Sequence, residues 1–269
     1  MNSYKVSPEN PIILSEFDPA DKSLWEGTKK EALDAFKSFR KELIDLQHLL
    51  YAAYKHKILI VFQAMDAGGK DGAIRNIFKG TNPQGVIVSG FRAPTTDELE
   101  HDYLWRVHAR TPGKGEIGIF NRSHYEDVLV VRVRNLVPES VWTKRYEHIV
   151  NFEQMLADEG TLILKFFLYI SKEEQKGRFI DRIRNPTKQW KFNPGDLDER
   201  NLWDDYMAAY EDAINKTSTE FAPWYVIPSD RKWYRNYIIA KIITEKLKSL
   251  NIEYPKPVED IKKFEKEIK

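Results

Sequence analysis

Gly68-Gly69-Lys70 stands five intervening residues beyond an apolar run, residues 58–62, in which Ile58, Ile60 and Val61 are β-branched. A helical pattern, residues 71–79, follows at once. Strand, glycine turn, lysine and helix together make a cradle for phosphate. Backbone N–H groups of the turn and the positive end of the helix converge on an anion, and an ammonium adds a point charge. The full stretch is Asp66-Ala67-Gly68-Gly69-Lys70-Asp71-Gly72. It departs from the pattern G-x-x-x-x-G-K-[ST] at both ends: Ala64 stands for the first glycine, and Asp71 for the hydroxyl residue that would touch Mg²⁺. Carboxylates at Asp66 and Asp71 within a phosphate cradle call for a cation between acid and anion, and Mg²⁺ prefers oxygen ligands.

Two further clusters follow apolar runs. After residues 117–120 come Asn121-Arg122-Ser123-His124-Tyr125-Glu126-Asp127, and after residues 86–89 come Gly90-Phe91-Arg92. In an open parallel sheet these positions lie at the carboxyl ends of strands, where ligands bind. With Lys70, the guanidinium groups of Arg92 and Arg122 would surround a phosphoryl group in transfer, a reaction that depends on positioning and positive charge. A planar guanidinium grips phosphate oxygens in pairs. Asp127 or Glu126 would orient the metal, although Arg122 is also spaced to pair with Glu126 one helical turn on. His124 reads as a hydrogen-bonded structural residue, and His101, His108 and His148 share no metal-ligand spacing.

A basic segment, residues 176–191, carries Lys176, Arg178, Arg182, Arg184, Lys188 and Lys191 against the single acid Asp181. Arg178 and Arg182 share a helix face, and Pro186 ends that helix. Beside a phosphate cradle, such a helix and loop (residues 172–195) would act as a lid that excludes water. Among the aromatic residues, Trp190, Trp203, Tyr206 and Tyr210 are candidates to stack on a base, most of them better suited to the core.

The composition narrows the classes further. The 269 residues carry a net charge of +1, contain no cysteine and are 42% hydrophobic. That excludes disulfides and thiolate metal sites, and it provides no global basic field for nucleic acid. The N-terminus lacks an apolar signal core, and no apolar run approaches the ~20 residues of a membrane span. The expectation is a cytoplasmic protein with no nucleic-acid or membrane partner.

The elements that must position these groups alternate along the chain. Strands are expected at residues 58–62, 86–89, 117–120, 162–170 and 225–227. Helices are expected at 71–79, 96–107, 125–133, 140–159, 172–184, 196–218 and 233–250. Their near-continuous apolar strand runs predict a parallel sheet covered on both faces. An irregular arm and a helix, residues 1–55, precede the first strand. No linker breaks the chain, so residues 1–269 read as one domain.

The glycine loop, the segment 120–127, the basic stretch through Lys188-Gln189-Trp190-Lys191-Phe192 and the N-terminal helix together resemble the family-2 polyphosphate kinases, over roughly residues 25–250. This resemblance implies an α/β fold like that of thymidylate kinase: a P-loop kinase-like, three-layer α/β/α domain with an N-terminal helical extension and a basic helical lid. It implies phosphoryl transfer between inorganic polyphosphate and nucleotides, dependent on Mg²⁺ or, as a substitute, Mn²⁺. Carried over, Asp66, Lys70, Arg122 and Asp127 would be catalytic, with Asp66 and Asp127 on the metal. Ala67 through Gly72, Arg178, Arg182 and Lys188 would hold phosphate or polyphosphate. Arg92, Asn121, Arg122 and Glu126 would meet the nucleotide. Asn121 with Glu126-Asp127 resembles the branch that phosphorylates both AMP and ADP, with guanine nucleotides as a further acceptor class, and family members are commonly homo-oligomers. A nucleoside monophosphate kinase using ATP, and a non-catalytic phosphate-binding module, are the rival readings.

Overall fold

Five parallel strands form the centre of the protein, seen here in a computed structural model that describes residues 4–259 and 261–268. They are β1 (Lys57–Gln63), β2 (Val86–Gly90), β3 (Ile117–Asn121), β4 (Thr161–Tyr169) and β5 (Trp224–Pro228), in the spatial order β2-β3-β1-β4-β5. Alternation along β1 explains why both faces are covered. Leu59 and Val61 enter one core, and Ile58, Ile60 and Phe62 the other. Each such side chain contributes roughly 1.5–3 kcal/mol on burial.

On one face lie α1 (Lys29–Ala53), α2 (Lys70–Ile77) and α10 (Lys232–Lys248), and on the other α6 (Glu139–Asp158) and α9 (Trp203–Thr217). This is the expected three-layer α/β/α arrangement. The first helix starts at a capping box, Thr28 accepting from the Glu31 amide while Glu31 reaches back, and stops at Tyr54 in the left-handed region. The N-terminal arm is not wholly irregular. Lys5 bridges antiparallel to Tyr225 on the outer edge of β5, and the Val6 amide donates to the Trp224 carbonyl at 2.9 Å.

Three expected helices are interrupted. Residues 96–107 divide into α3 (Thr96–Leu99) and α4 (Trp105–His108). Residues 125–133 divide into a 3-10 turn, His124–Asp127, and α5 (Val130–Val133). In the C-terminal part, α8 (Gly195–Asn201) and α9 are separated at Leu202. The break before α5 follows the turn at the carboxyl end of β3, and the break at Leu202 follows the lid segment. The lid helix α7 (Lys172–Arg184) begins at Ser171, whose hydroxyl accepts from the Glu174 amide, and ends before Pro186.

Candidate active site

Order in the sheet reverses around β1, and the crevice beyond its carboxyl end holds the glycine loop. The loop is polarised by its own hydrogen bonding. Lys70 Nζ donates to the Ala64 carbonyl at 2.8 Å. The Gly68 amide donates to the Met65 carbonyl, and the Gln175 side-chain amide to the Asp66 carbonyl. Arg178 Nη1 donates to the carbonyls of Ala67 and Gly68, at 2.8 and 2.9 Å, and the Ala73 amide to Gly69. Every carbonyl from Ala64 to Gly69 is thereby taken. The N–H groups of Ala67, Gly69, Lys70 and Asp71 meet no acceptor among the described residues. Backbone twist makes this possible: Ala67 stands at φ 59° and Gly69 at φ 102°.

The loop forms the floor of a cleft of about 930 Å³, lined by ten lysine and arginine residues and three aspartates. Lys70, Arg75, Arg92 and Arg122 contribute from the sheet side, Arg182, Lys188 and Lys191 from the lid, and Lys232 and Arg235 from α10. Arg122, at the end of β3, is itself held at φ 63° and donates from Nη2 to Asp66 Oδ1 at 3.1 Å. Burial works against its charge, but Glu126 and Asp66 outweigh burial and push its pKa up. Lys70 is pulled below its ordinary range, first by burial and then by Arg122, with Asp66, Glu126 and Asp71 opposing.

The expected site residues divide into two groups. Asp66, Lys70, Arg122 and the loop glycines come together at the floor, with Arg92 exposed at the rim. Asn121 Nδ2 donates to Asp71 Oδ1 at 2.7 Å and joins β3 to α2. Glu126 faces this group from a second chamber of about 260 Å³, which also exposes Asp66 and Arg122. Burial is the main cause of its raised pKa, resisted by Arg122 and Lys70.

Asp127 is directed elsewhere: its carboxylate accepts from Arg145 Nη1 at 2.9 Å, behind the cleft, and burial pushes it up to about 6. Arg178 lines the cleft from the lid helix. It is buried and braces the loop, also donating to the Ser229 carbonyl and pairing with Glu174. Arg182 lines the cleft but pairs with Asp196, and Lys188 lines it while paired with Asp181 at 2.6 Å. His124 is fully buried, its Nε2 at 3.1 Å from Glu153 Oε1. Trp203, Tyr206 and Tyr210 are buried, whereas Trp190 is 78% exposed over the cleft with the Lys191 ammonium on its ring.

The sequence matches the family described as polyphosphate kinase 2 (PPK2) over residues 26–255. The chain belongs to this family. A polyphosphate kinase 2 from Arthrobacter aurescens TC1 has the same fold, with a TM-score of 0.94 at 37% identity, covering 99% of this chain and 98% of that one. The chain is similar to an AMP/ADP-polyphosphate phosphotransferase of Meiothermus ruber, 59% identical over 257 residues that make up 96% of each. It is similar also to an ADP-polyphosphate phosphotransferase of Rhodopseudomonas palustris, 49% identical over 264 residues, 94% of this chain and 91% of that one.

A divalent metal fits the chemistry of a polyphosphate kinase, and the donor set here suits a hard cation. Two acids of the second chamber, Asp66 and Glu126, offer only oxygen. Among the described residues no three His, Cys, Asp or Glu side chains converge as a metal cage. Among the described residues no helix is long and apolar enough to cross a membrane.

Sequence reasoning did not single out Arg235, Gln175 or Lys232. Arg235 and Lys232 lie 160 or more residues from the loop in the chain and sit in a helix that reads as an ordinary apolar stripe. Only the basic residues at its start, Arg231, Lys232 and Arg235, hinted at a second role.

Proposed function

We infer that the protein transfers the terminal phosphoryl group of inorganic polyphosphate to AMP and ADP, forming ADP and ATP. The polarised loop carries this reading. A loop whose backbone carbonyls from Ala64 to Gly69 are all occupied, and whose Ala67, Gly69, Lys70 and Asp71 amides are free, presents only donors from its backbone, and its natural occupant is a condensed phosphate. The excess of cations in the cleft favours a donor with many charges over one with a single phosphate. The acceptor assignment rests on the likeness to the Meiothermus ruber phosphotransferase.

In this reading an acceptor phosphate oxygen attacks the terminal phosphorus. A new P–O bond forms, the bridging P–O bond breaks, and the shortened chain leaves with the electron pair. Acceptor phosphates are already ionised near neutral pH, so the site's work is alignment and charge neutralisation. Lys70 and the loop amides hold the donor's terminal groups. Arg122, fixed by Asp66 and Glu126, meets the charge that develops between donor and acceptor. Asp66 and Glu126 would hold Mg²⁺, whose contribution is to neutralise phosphate charge at the bond that breaks. Trp190 offers the nucleobase a face without hydrogen-bond readout, so guanine as well as adenine nucleotides fit.

The test is a time course with AMP, long-chain polyphosphate and Mg²⁺, in the absence of ATP. ADP followed by ATP is the expected result. Product formed only when ATP is supplied as donor would instead assign an ordinary nucleotide kinase.

A further inference from the structure

We propose that Arg235, on α10, is a positioning residue for the polyphosphate donor: a buried guanidinium behind Gly69 that is neutralised only by the phosphate chain. The proposal rests on the reading of the cleft as a polyphosphate site and assigns that site a residue from outside both loop and lid.

Three observations carry it. Arg235 is only 2% exposed, yet it lines the cleft. Its Nε and Nη2 donate to the side-chain oxygen of Asn236, at 3.1 and 2.9 Å, and Nη1 lies 3.4 Å from the Gly68 carbonyl. Those acceptors are neutral, and among the described residues no carboxylate pairs with it. A buried charge without a counter-charge is unfavourable unless the fold enforces it or a ligand completes it.

The second observation is the neighbour. Arg178 brings another guanidinium to the same loop carbonyl, and of the two only Arg178 has an acid, Glu174. Two like charges are thus packed under one turn, and burial together with Arg178 pulls the Arg235 pKa down to about 9.

The third is the absence of a side chain at Gly69. A Cβ there would lie 2.0 Å from Arg235 Nη1 and 3.3 Å from Arg178 Nη1. The guanidinium of a distant helix therefore occupies the space of the loop's own side chain, directly behind amides that have no protein acceptor. A phosphate seated on those amides comes within reach of the unused N–H groups of Arg235.

The experiment measures binding of long-chain polyphosphate to the full chain by titration calorimetry, without nucleotide, at a series of salt concentrations. The variants are Arg235→Met and Arg235→Lys, with the thermal transition of each recorded. A contact between one fixed cation and a polyanion contributes about one unit to the slope of log K against log salt. Arg235→Met is expected to weaken binding about tenfold or more and to lower that slope by about one, whereas Arg235→Lys retains the slope. A merely structural brace would move the thermal transition and leave the slope unchanged. A wild-type slope in Arg235→Met overturns the proposal. Should Arg235→Met fail to fold, an Arg235→Lys protein that binds with a slope reduced by one overturns it as well, since the retained charge would then not be the quantity that matters. If the wild-type protein shows no salt-dependent binding of polyphosphate, the reading of the cleft itself fails, a result distinct from both.

Discussion

Arg122 and Asp66 are joined at the floor of the cleft, Nη2 to Oδ1 at 3.1 Å, with Arg122 held at φ 63°. A side chain in the left-handed region is unfavourable by about 1–2 kcal/mol relative to ordinary backbone. The ion pair is partly exposed and offsets little of that. Arg122 is thus retained against local stability, as expected of a group that acts on the reaction. Arg122→Gly is expected to melt at or above the wild-type temperature while turnover falls by ~100-fold or more. Calorimetry and a steady-state assay on the same preparation check this. A less stable variant with near-normal turnover would reverse the assignment.

Adjacent carboxylates, Glu126 and Asp127, have different surroundings: Glu126 lines the second chamber in the field of Arg122 and Lys70, and Asp127 accepts from Arg145. Glu126→Gln is expected to reduce turnover far more than Asp127→Asn. Asp127 has a distinct signature in stability. Its folded pKa, about 6, lies above the ordinary value of 3.8. Between these values the folded state keeps a proton that the unfolded state has lost, so stability from this group declines as pH rises from about 4 to 6. The whole effect is on the order of 2–3 kcal/mol. Asp127→Asn lacks it, so the variant gains on wild type across that window. Urea unfolding at pH 4, 5, 6 and 7 measures the difference; a constant difference would show that Asp127 does not titrate there.

The division between what could be read in the sequence and what could not follows the distance over which each contact acts. The strands were legible because Ile58, Ile60 and Phe62 alternate with Leu59 and Val61, and burial on both faces leaves no polar position to confuse the pattern. The loop was legible because a glycine pair and a lysine at a strand end have a local mechanism. Arg178 reads as a lid residue because its helix is basic, and it does line the cleft, but its hydrogen-bond partners are carbonyls about 110 residues upstream. Periodicity has no means of indicating them. The same holds for Asp127: the spacing that placed it beside Glu126 could not show that, from one 3-10 turn, Glu126 lines the second chamber while Asp127 pairs with Arg145. The breaks at Leu202 and within residues 100–104 were missed because apolar spacing continues through them.

Gly69→Ala provides a test of the packing under the loop. The added methyl would stand at φ 102° and 2.0 Å from Arg235 Nη1, so both backbone and guanidinium must shift. A loss of roughly 1–3 kcal/mol is expected, together with loss of phosphoryl transfer. Gly72→Ala is the control for stability. Its Cβ meets Arg235 Nη2 at 3.8 Å, ordinary contact, and alanine favours the helix by roughly 0.5–1 kcal/mol. Equal stability of the two variants would mean that the guanidinium does not occupy the space behind Gly69.

Behind the sheet, Lys165 on β4 replaces an apolar side chain and pairs with Glu153 of α6 at 2.5 Å, both fully buried. Tyr125 and His124 join the same carboxylate, which ties the turn after β3 to the core. Removing one member leaves a buried charge without its partner, so Lys165→Met is expected to lose about 3–5 kcal/mol in urea unfolding. The double variant Lys165→Met, Glu153→Leu should recover much of that loss, because an apolar pair of similar volume replaces two desolvated charges. If the double variant is no more stable than the single one, the loss comes from packing and not from the orphaned carboxylate.

Trp190 separates two places where a nucleobase could rest. It is the most exposed of the four aromatic side chains near the site, and Lys191 stands 5.0 Å from its ring centre. The alternative is the smaller chamber beyond Asp66 and Arg122, where Tyr206 and Tyr210 line the wall. Stacking on an aromatic face is worth about 1–3 kcal/mol per base and discriminates poorly between bases. Trp190→Ala is therefore expected to raise the nucleotide KM about tenfold or more, by similar factors for adenine and guanine acceptors. Its KM for polyphosphate and its melting temperature should stay near wild type, since the ring is exposed and its indole N–H bonds only to the Thr187 carbonyl of the same turn. Trp190→Phe should recover most of the affinity. An unchanged nucleotide KM in Trp190→Ala, with a raised one in Tyr210→Ala, would place the base in the inner chamber instead.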